Sequence, residues 1–186
     1  EATAAGLTTG TLGAFTVVHG AAAQIALNGA TTNLASGATR VLTATIQDAA
    51  GNTVSSDSTT VVAFAKASGA GTVSGTGNAT AVAGVASKTV TGVLAGSVTM
   101  EATAAGLTTG TLGAFTVVHG AATQLALGGA VTDLTSGATR VLTATIQDAA
   151  GNTVTSDNTT VVAFAKQSGA GTVTGTGTDT AVAGVA

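Results

Sequence analysis

Cysteine is absent from the 186 residues, which excludes disulfides, thiolate nucleophiles and metal sites built on sulfur. Proline, tryptophan and tyrosine are also absent and only four phenylalanines occur, so any core must come from Val, Leu, Ile, Ala and Phe. Charge is scarce as well: 7% of residues are Asp, Glu, Lys or Arg, against roughly 25% in ordinary globular domains, and the mean hydropathy is +0.53. That is no cytosolic profile. Five scattered Lys or Arg and a net charge of −3 give no basic stripe to neutralise phosphate or anionic lipid, so nucleic acid is not an expected partner. Apolar stretches such as VVAFA from Val61 fall far short of the roughly 20 residues that a helix needs to cross a bilayer, and no membrane span is expected.

What is present is a repeat. EATAAGLTTGTLGAFTVVHGAA at Glu1–Ala22 recurs letter for letter at Glu101–Ala122, an offset of 100, and 74 of the 86 comparable positions are identical. The exceptions include Ile25 against Leu125, Ala35 against Thr135 and Ser55 against Thr155, swaps that keep an apolar or small character. A period of about 100 residues is the size of an independently folding domain rather than of a solenoid unit.

Within one period, short runs of β-branched residues with period 2 alternate with Gly, Asn, Asp and Ser clusters, the pattern of an all-β chain. About seven strands are predicted. These are Gln24–Leu27, Arg40–Asp48, Thr60–Lys66, Gly71–Ser74, Val85–Thr91, Ser97–Thr103 and Thr111–Val118, with an extended return at Thr53–Ser56 after the turn that follows Asp48. Leu42, Ala44 and Ile46 should share a buried face, as should Val62 with Phe64, Val98 with Met100 and Ala102, and Phe115 with Val117. No segment keeps a 3.6 period over three turns, and EATAAGL reads as the end of a strand. The expected architecture is a series of two-sheet antiparallel β-sandwiches of about 100 residues each.

LTATIQDAAGNTV, then TTVVAFAK, GAGTV and GVASKTVTGVLAGSVTMEATAAGL, resembles the bacterial immunoglobulin-like repeats of the invasin and intimin type that occur in tandem in large adhesins. The resemblance covers the whole repeat. It implies immunoglobulin-like sandwiches serving as spacers in a secreted or cell-surface bacterial protein, and, because some relatives carry calcium between repeats, it keeps calcium in view.

In this reading residues 1–19 are the last strands of one repeat, 20–119 a complete repeat and 120–186 a repeat without its last strands. The expectation is a window on a longer chain. The rival is a homopolymer in which residues 1–19 of one copy complete 120–186 of the next by strand addition. Because no Ser/Pro-rich spacer separates the repeats, a semi-rigid rod is expected.

Four positions mark the interdomain junction: His19, Gly20, His119 and Gly120. With no nucleophile readable beside them, the histidines are expected to pack at the junction or face solvent, and no enzyme is expected. Asp48, Asn52, Asp57, Asp148, Asn152 and Asp157 offer hard oxygen ligands, but Ca²⁺ wants six to eight oxygens, so turn formation is the favoured reading and no cofactor is expected. Gly69, Gly71, Gly75 and Gly77 form no phosphate loop and read as turn and bulge glycines. Arg40, Lys66 and Lys88 read as charges guarding edges and outer faces. The functions weighed are a cell-surface spacer, a self-assembling filament or surface layer, and a sugar- or calcium-dependent binding domain, the last weakened by the lack of stacking aromatics.

Overall fold

A computed structural model describes all of residues 1–186 as an all-β chain without helix. Residues 20–119 hold nine strands: β1 (Ala22–Asn28), β2 (Leu34–Ala35), β3 (Thr39–Asp48), β4 (Val61–Ser68), β5 (Val73–Ser74), β6 (Gly77–Thr80), β7 (Val85–Gly92), β8 (Gly96–Thr103) and β9 (Gly110–Val118). They form two sheets, ordered β1-β3-β7-β5 and β2-β9-β8-β4-β6. Every pairing is antiparallel except β2 with β9, where Leu34 lies beside Val117 and Ala35 beside Val118. No helix is long and apolar enough to cross a membrane.

The alternation in sequence becomes the two sides of a sandwich. On β3 Leu42, Ala44 and Ile46 are fully buried while Thr43, Thr45 and Gln47 stay partly exposed. They meet Val62 and Phe64 of β4, Val98, Met100 and Ala102 of β8, and Leu112, Phe115 and Val117 of β9 in one cluster of 18 buried residues that draws on both sheets. Each inward-facing set expected from the period-2 pattern is thus buried. Gly71 is required by a close approach, since a Cβ there would lie 2.3 Å from the Gly96 carbonyl oxygen.

Three local expectations are corrected. Thr53–Ser56 forms no strand: a single bridge, Gln47 with Thr53, holds it and buries Val54 before the chain turns at Asp57. The strand expected over Gly71–Ser74 is reduced to Val73–Ser74, because Gly71 and Thr72 instead bond the backbone of Ser97 and Leu94. Arg40 is no outer-face guard; it points inward from β3 at 9% exposure, its guanidinium 4.4 Å from the Phe115 ring centroid. One Nη donates to the Thr32 carbonyl at 2.6 Å, so the side chain ties the β1–β2 loop to the core edge. Lys66 is exposed and Lys88 partly exposed, yet both share the inward face of their strands, in register with the buried Met100 and Leu42, and their Nζ atoms donate to the carbonyls of Gly71 and Asn78.

The flanking segments have nearly the same sequence but fewer neighbours. Residues 120–186 contain two separate strand pairs, β10 (Gln124–Gly128) with β11 (Thr143–Gln147) and β12 (Val161–Phe164) with β13 (Gly177–Thr180). Their registers repeat those of β1 with β3 and β4 with β6, Leu125 facing Ile146 as Ile25 faces Ile46. Only Ile146, Val154 and Ala181 form a buried cluster, and Leu125 and Leu127 are exposed.

Residues 1–19, expected as strands, form none. The Ala2–Gly10 bridge and the Leu7 N–H to Ala4 carbonyl bond reproduce Ala102–Gly110 and Leu107–Ala104. The turn is therefore encoded locally, whereas the strand that follows it needs a neighbour such as Gly96–Met100 to pair with.

Candidate functional site at the repeat junction

The turn Asp-Ala-Ala-Gly-Asn that ends β3 recurs after β11, and in both copies the aspartate organises the junction. Asp48 Oδ1 accepts the N–H groups of Ala50 and Asn52 at 3.0 and 2.8 Å, closing the turn. Its Oδ2 accepts the Gly20 N–H at 2.7 Å, from the segment that enters the repeat. Asp148 repeats the set on Ala150, Asn152 and Gly120, the last again at 2.7 Å. One carboxylate thus closes a turn and pins the linker to it.

These bonds favour the charged form. The Gly20 N–H, followed by the Asn52 side chain and the Asn52 N–H, brings the Asp48 pKa down to about 2. At Asp148 burial pushes the pKa up, but the N–H of Gly120 and the side chain and N–H of Asn152 outweigh it and hold the group well below the usual carboxylate range.

The histidines flank the same pins. The Gly20 carbonyl can only accept, so His19 Nδ1 donates to it at 2.9 Å, and Nε2 shares a hydrogen bond of 3.2 Å with Ser56 Oγ. His119 Nδ1 donates to Gly120 in the same way. No Asp or Glu is within hydrogen-bond reach of either ring.

The carboxylates of the candidate oxygen donors sit in two separate turns. Asp48 and Asp148 spend both oxygens on N–H groups, and Asp57 and Asp157 form a separate turn, each accepting the N–H of the second and third residues on and a Thr hydroxyl at 2.6 Å. No three His, Asp or Glu side chains converge on one point.

Asn152 does more than close its turn. Its Nδ2 donates to the Val93 carbonyl at 2.8 Å and its Oδ1 accepts the Ala95 N–H at 2.7 Å, both in the loop between β7 and β8 of the preceding repeat. An open cleft of about 350 Å³ lies beside this contact, between Ser36, Val93, Gly120 and Asp148. The contact was not legible in the sequence, because its partners lie 57 and 59 residues apart.

No family model matches the chain, and neither does any curated protein. Among solved structures it is similar to the Escherichia coli adhesin FdeC, at 22% identity over 78% of this chain and 47% of that one with a TM-score of 0.47. Domains 4–9 of the surface layer protein SbsC match at 20% identity over 80% of this chain and 24% of theirs, TM-score 0.39. A glycosyl hydrolase family 2 member from Bacteroides cellulosilyticus matches at 18% identity over 54% of this chain and 15% of its own, TM-score 0.45. The chain spans less than half the length of each.

Proposed function

We propose that the chain is a non-catalytic spacer: immunoglobulin-like sandwiches joined end to end in a bacterial cell-surface or secreted adhesin-like protein. The observation that carries this reading is the junction itself, where a near-copy follows its predecessor with no spacer and a buried aspartate, Asp148, pins the linker at Gly120. Short, hydrogen-bonded linkers make tandem domains transmit length and direction. The few charged side chains and the Thr- and Ala-rich outer faces suit exposure outside the cell, where reach rather than chemistry is the product.

The filament reading draws on the exposed Leu12, Phe15 and Val17 and on the exposed Leu125 and Leu127 of the later segment. Strand addition by residues 1–19 would still leave the counterparts of Ser87–Met100 unfilled, which carry most of β7 and β8. β8 separates β9 from β4, so the added strand would have only a β2-like edge to pair with. This favours the spacer.

Electron microscopy of the assembly on the cells that make it, together with the mass of the intact polypeptide, tests the proposal. A long single chain of beaded domains projecting from the surface is expected. Short chains repeating head to tail in an ordered fibre would overturn it in favour of the filament.

A further inference from the structure

We propose that Asn152 is a lock between successive repeats, and that the partner this turn takes is the loop Val93–Gly96 of the repeat before it. The inference deepens the spacer reading and rests on it for its purpose, though its test does not.

A primary amide presents an acceptor and two donors in one plane, so it can take the place of a backbone partner for a neighbouring chain. Asn152 uses all of them. One Nδ2 proton goes to the Val93 carbonyl and the other to Asp148 Oδ2, each at 2.8 Å, while Oδ1 takes the Ala95 N–H at 2.7 Å. Turning the amide over would set its oxygen against the Val93 carbonyl and the Asp148 carboxylate, so the orientation is fixed by the network. Asp148, held by Gly120 and by its own turn, aims the amide. The receiving loop is braced from behind, since the Val93 carbonyl also accepts Ser36 Oγ at 2.9 Å.

Gly120 supplies an independent observation. A Cβ at this position would stand 2.8 Å from the Ser36 carbonyl oxygen of the preceding repeat, so the repeats approach as closely as a glycine allows. At Gly20, in the same local sequence, a Cβ would meet nothing nearer than the Asp48 side chain at 3.5 Å. The asparagines differ in the same way. Asn152 is buried at 8% exposure, whereas Asn52 is exposed and turns its Nδ2 back onto the two oxygens of Asp48 at 3.3 and 3.0 Å. Identical turns therefore differ only in whether a Val93–Gly96 loop is there to hold. The two directional bonds, one to a carbonyl and one to an N–H two residues later, fix rotation about the junction as well as contact.

Amide hydrogen exchange followed by NMR on the whole chain tests the lock. The Ala95 amide should be protected in the wild-type chain, and Asn152→Ala and Gly120→Ala should each speed its exchange by at least about tenfold. Asn52→Ala and Gly20→Ala should leave it within about twofold. The Ile46 amide, bonded to the Gly84 carbonyl inside the sandwich, reports that residues 20–119 remain folded in every variant. Exchange of Ala95 at an unprotected rate in the wild type, or protection that survives both Asn152→Ala and Gly120→Ala, would overturn the lock. Neither result bears on whether the chain is displayed at a surface, which microscopy reads separately.

Discussion

Phe15 and Phe115 occupy the same place in identical stretches of sequence, yet the first ring is 78% exposed and the second 2%. The difference is the company of the strand: Phe115 faces Val98 across β8 and β9 and lies under the Arg40 guanidinium, while residues 10–18 have no neighbouring strand. Removing a buried ring costs both its transfer free energy and the cavity left behind. Phe115→Ala is therefore expected to destabilise residues 20–119 by about 3–5 kcal/mol. Phe15→Ala, by contrast, should change stability by less than about 0.5 kcal/mol. With no Trp or Tyr to report by fluorescence, the measurement is calorimetry or far-ultraviolet circular dichroism. Equal effects at the two sites would mean that the exposed segment is packed in solution.

The same comparison shows how far a sequence carries. Period-2 burial was legible wherever a strand lies inside a sheet, as for Leu42, Ala44 and Ile46, because one face of such a strand has to be apolar. β2 and β6 were not legible: Leu34–Ala35 is too short to show a period, and Gly77–Thr80 contains Gly and Asn that read as turn. Arg40 misled because a long cation is normally external; here its stem and guanidinium cover Phe115 while its Nη reaches the Thr32 carbonyl. At the junction Asp48 and Asn52 stood out as oxygen carriers. Asp48 also accepts the distant Gly20 N–H, and Asn152, the counterpart of Asn52, accepts the Ala95 N–H, partners that no local pattern announces.

A strained turn gives a stabilising prediction. Val82 and Val85 exchange backbone hydrogen bonds at 2.9 and 3.1 Å around Ala83 and Gly84, whose φ angles are 50° and 80°. Both central residues of this two-residue turn are left-handed, the geometry that favours Asn-Gly and disfavours alanine at the first position. Gly84 has a second reason to be glycine, since a Cβ would lie 2.6 Å from the Val54 carbonyl oxygen. Ala83→Asn is expected to add about 1 kcal/mol by relieving the left-handed strain. For a unit of this size that corresponds to a midpoint rise of about 4–8 °C. A fall in the thermal midpoint would show that the turn relaxes in solution.

Calcium gives a prediction of no effect, and its size can be bounded. A ligand that binds only the folded state at a hundred times its Kd adds about 2.7 kcal/mol, so a site with a Kd of about 10 µM would be obvious in about 1 mM Ca²⁺. Because Asp48 and Asp148 already satisfy backbone N–H groups, the thermal midpoint is expected to be the same in Ca²⁺ and in chelator. A rise of several degrees with Ca²⁺ would require these carboxylates to exchange their N–H partners for the ion.

The same hydrogen bonds set the response to acid. Asp48, Asp57, Asp148 and Asp157 all titrate below an ordinary aspartate: Gly20 leads at Asp48, the Thr60 and Thr160 hydroxyls at Asp57 and Asp157, and at Asp148 burial opposes the hydrogen bonds that prevail. An unfolded aspartate titrates near ~3.9, so protons bind the unfolded chain first as pH falls. The contribution of these groups is fully present above about pH 4–5 and drains away below it, for Asp48 down through its folded value of about 2. The thermal midpoint should therefore be insensitive to these four carboxylates between about pH 5 and 8 and should fall steeply below about pH 4. Asp48→Asn keeps the shape of the side chain but removes the charge that holds Gly20, so it should lower the midpoint at neutral pH and flatten the acid limb. Carbon-13 detection of the Asp48 carboxyl gives the direct reading: a midpoint near 2 supports the pin, whereas one near that of an unfolded aspartate would mean that Gly20 is not held.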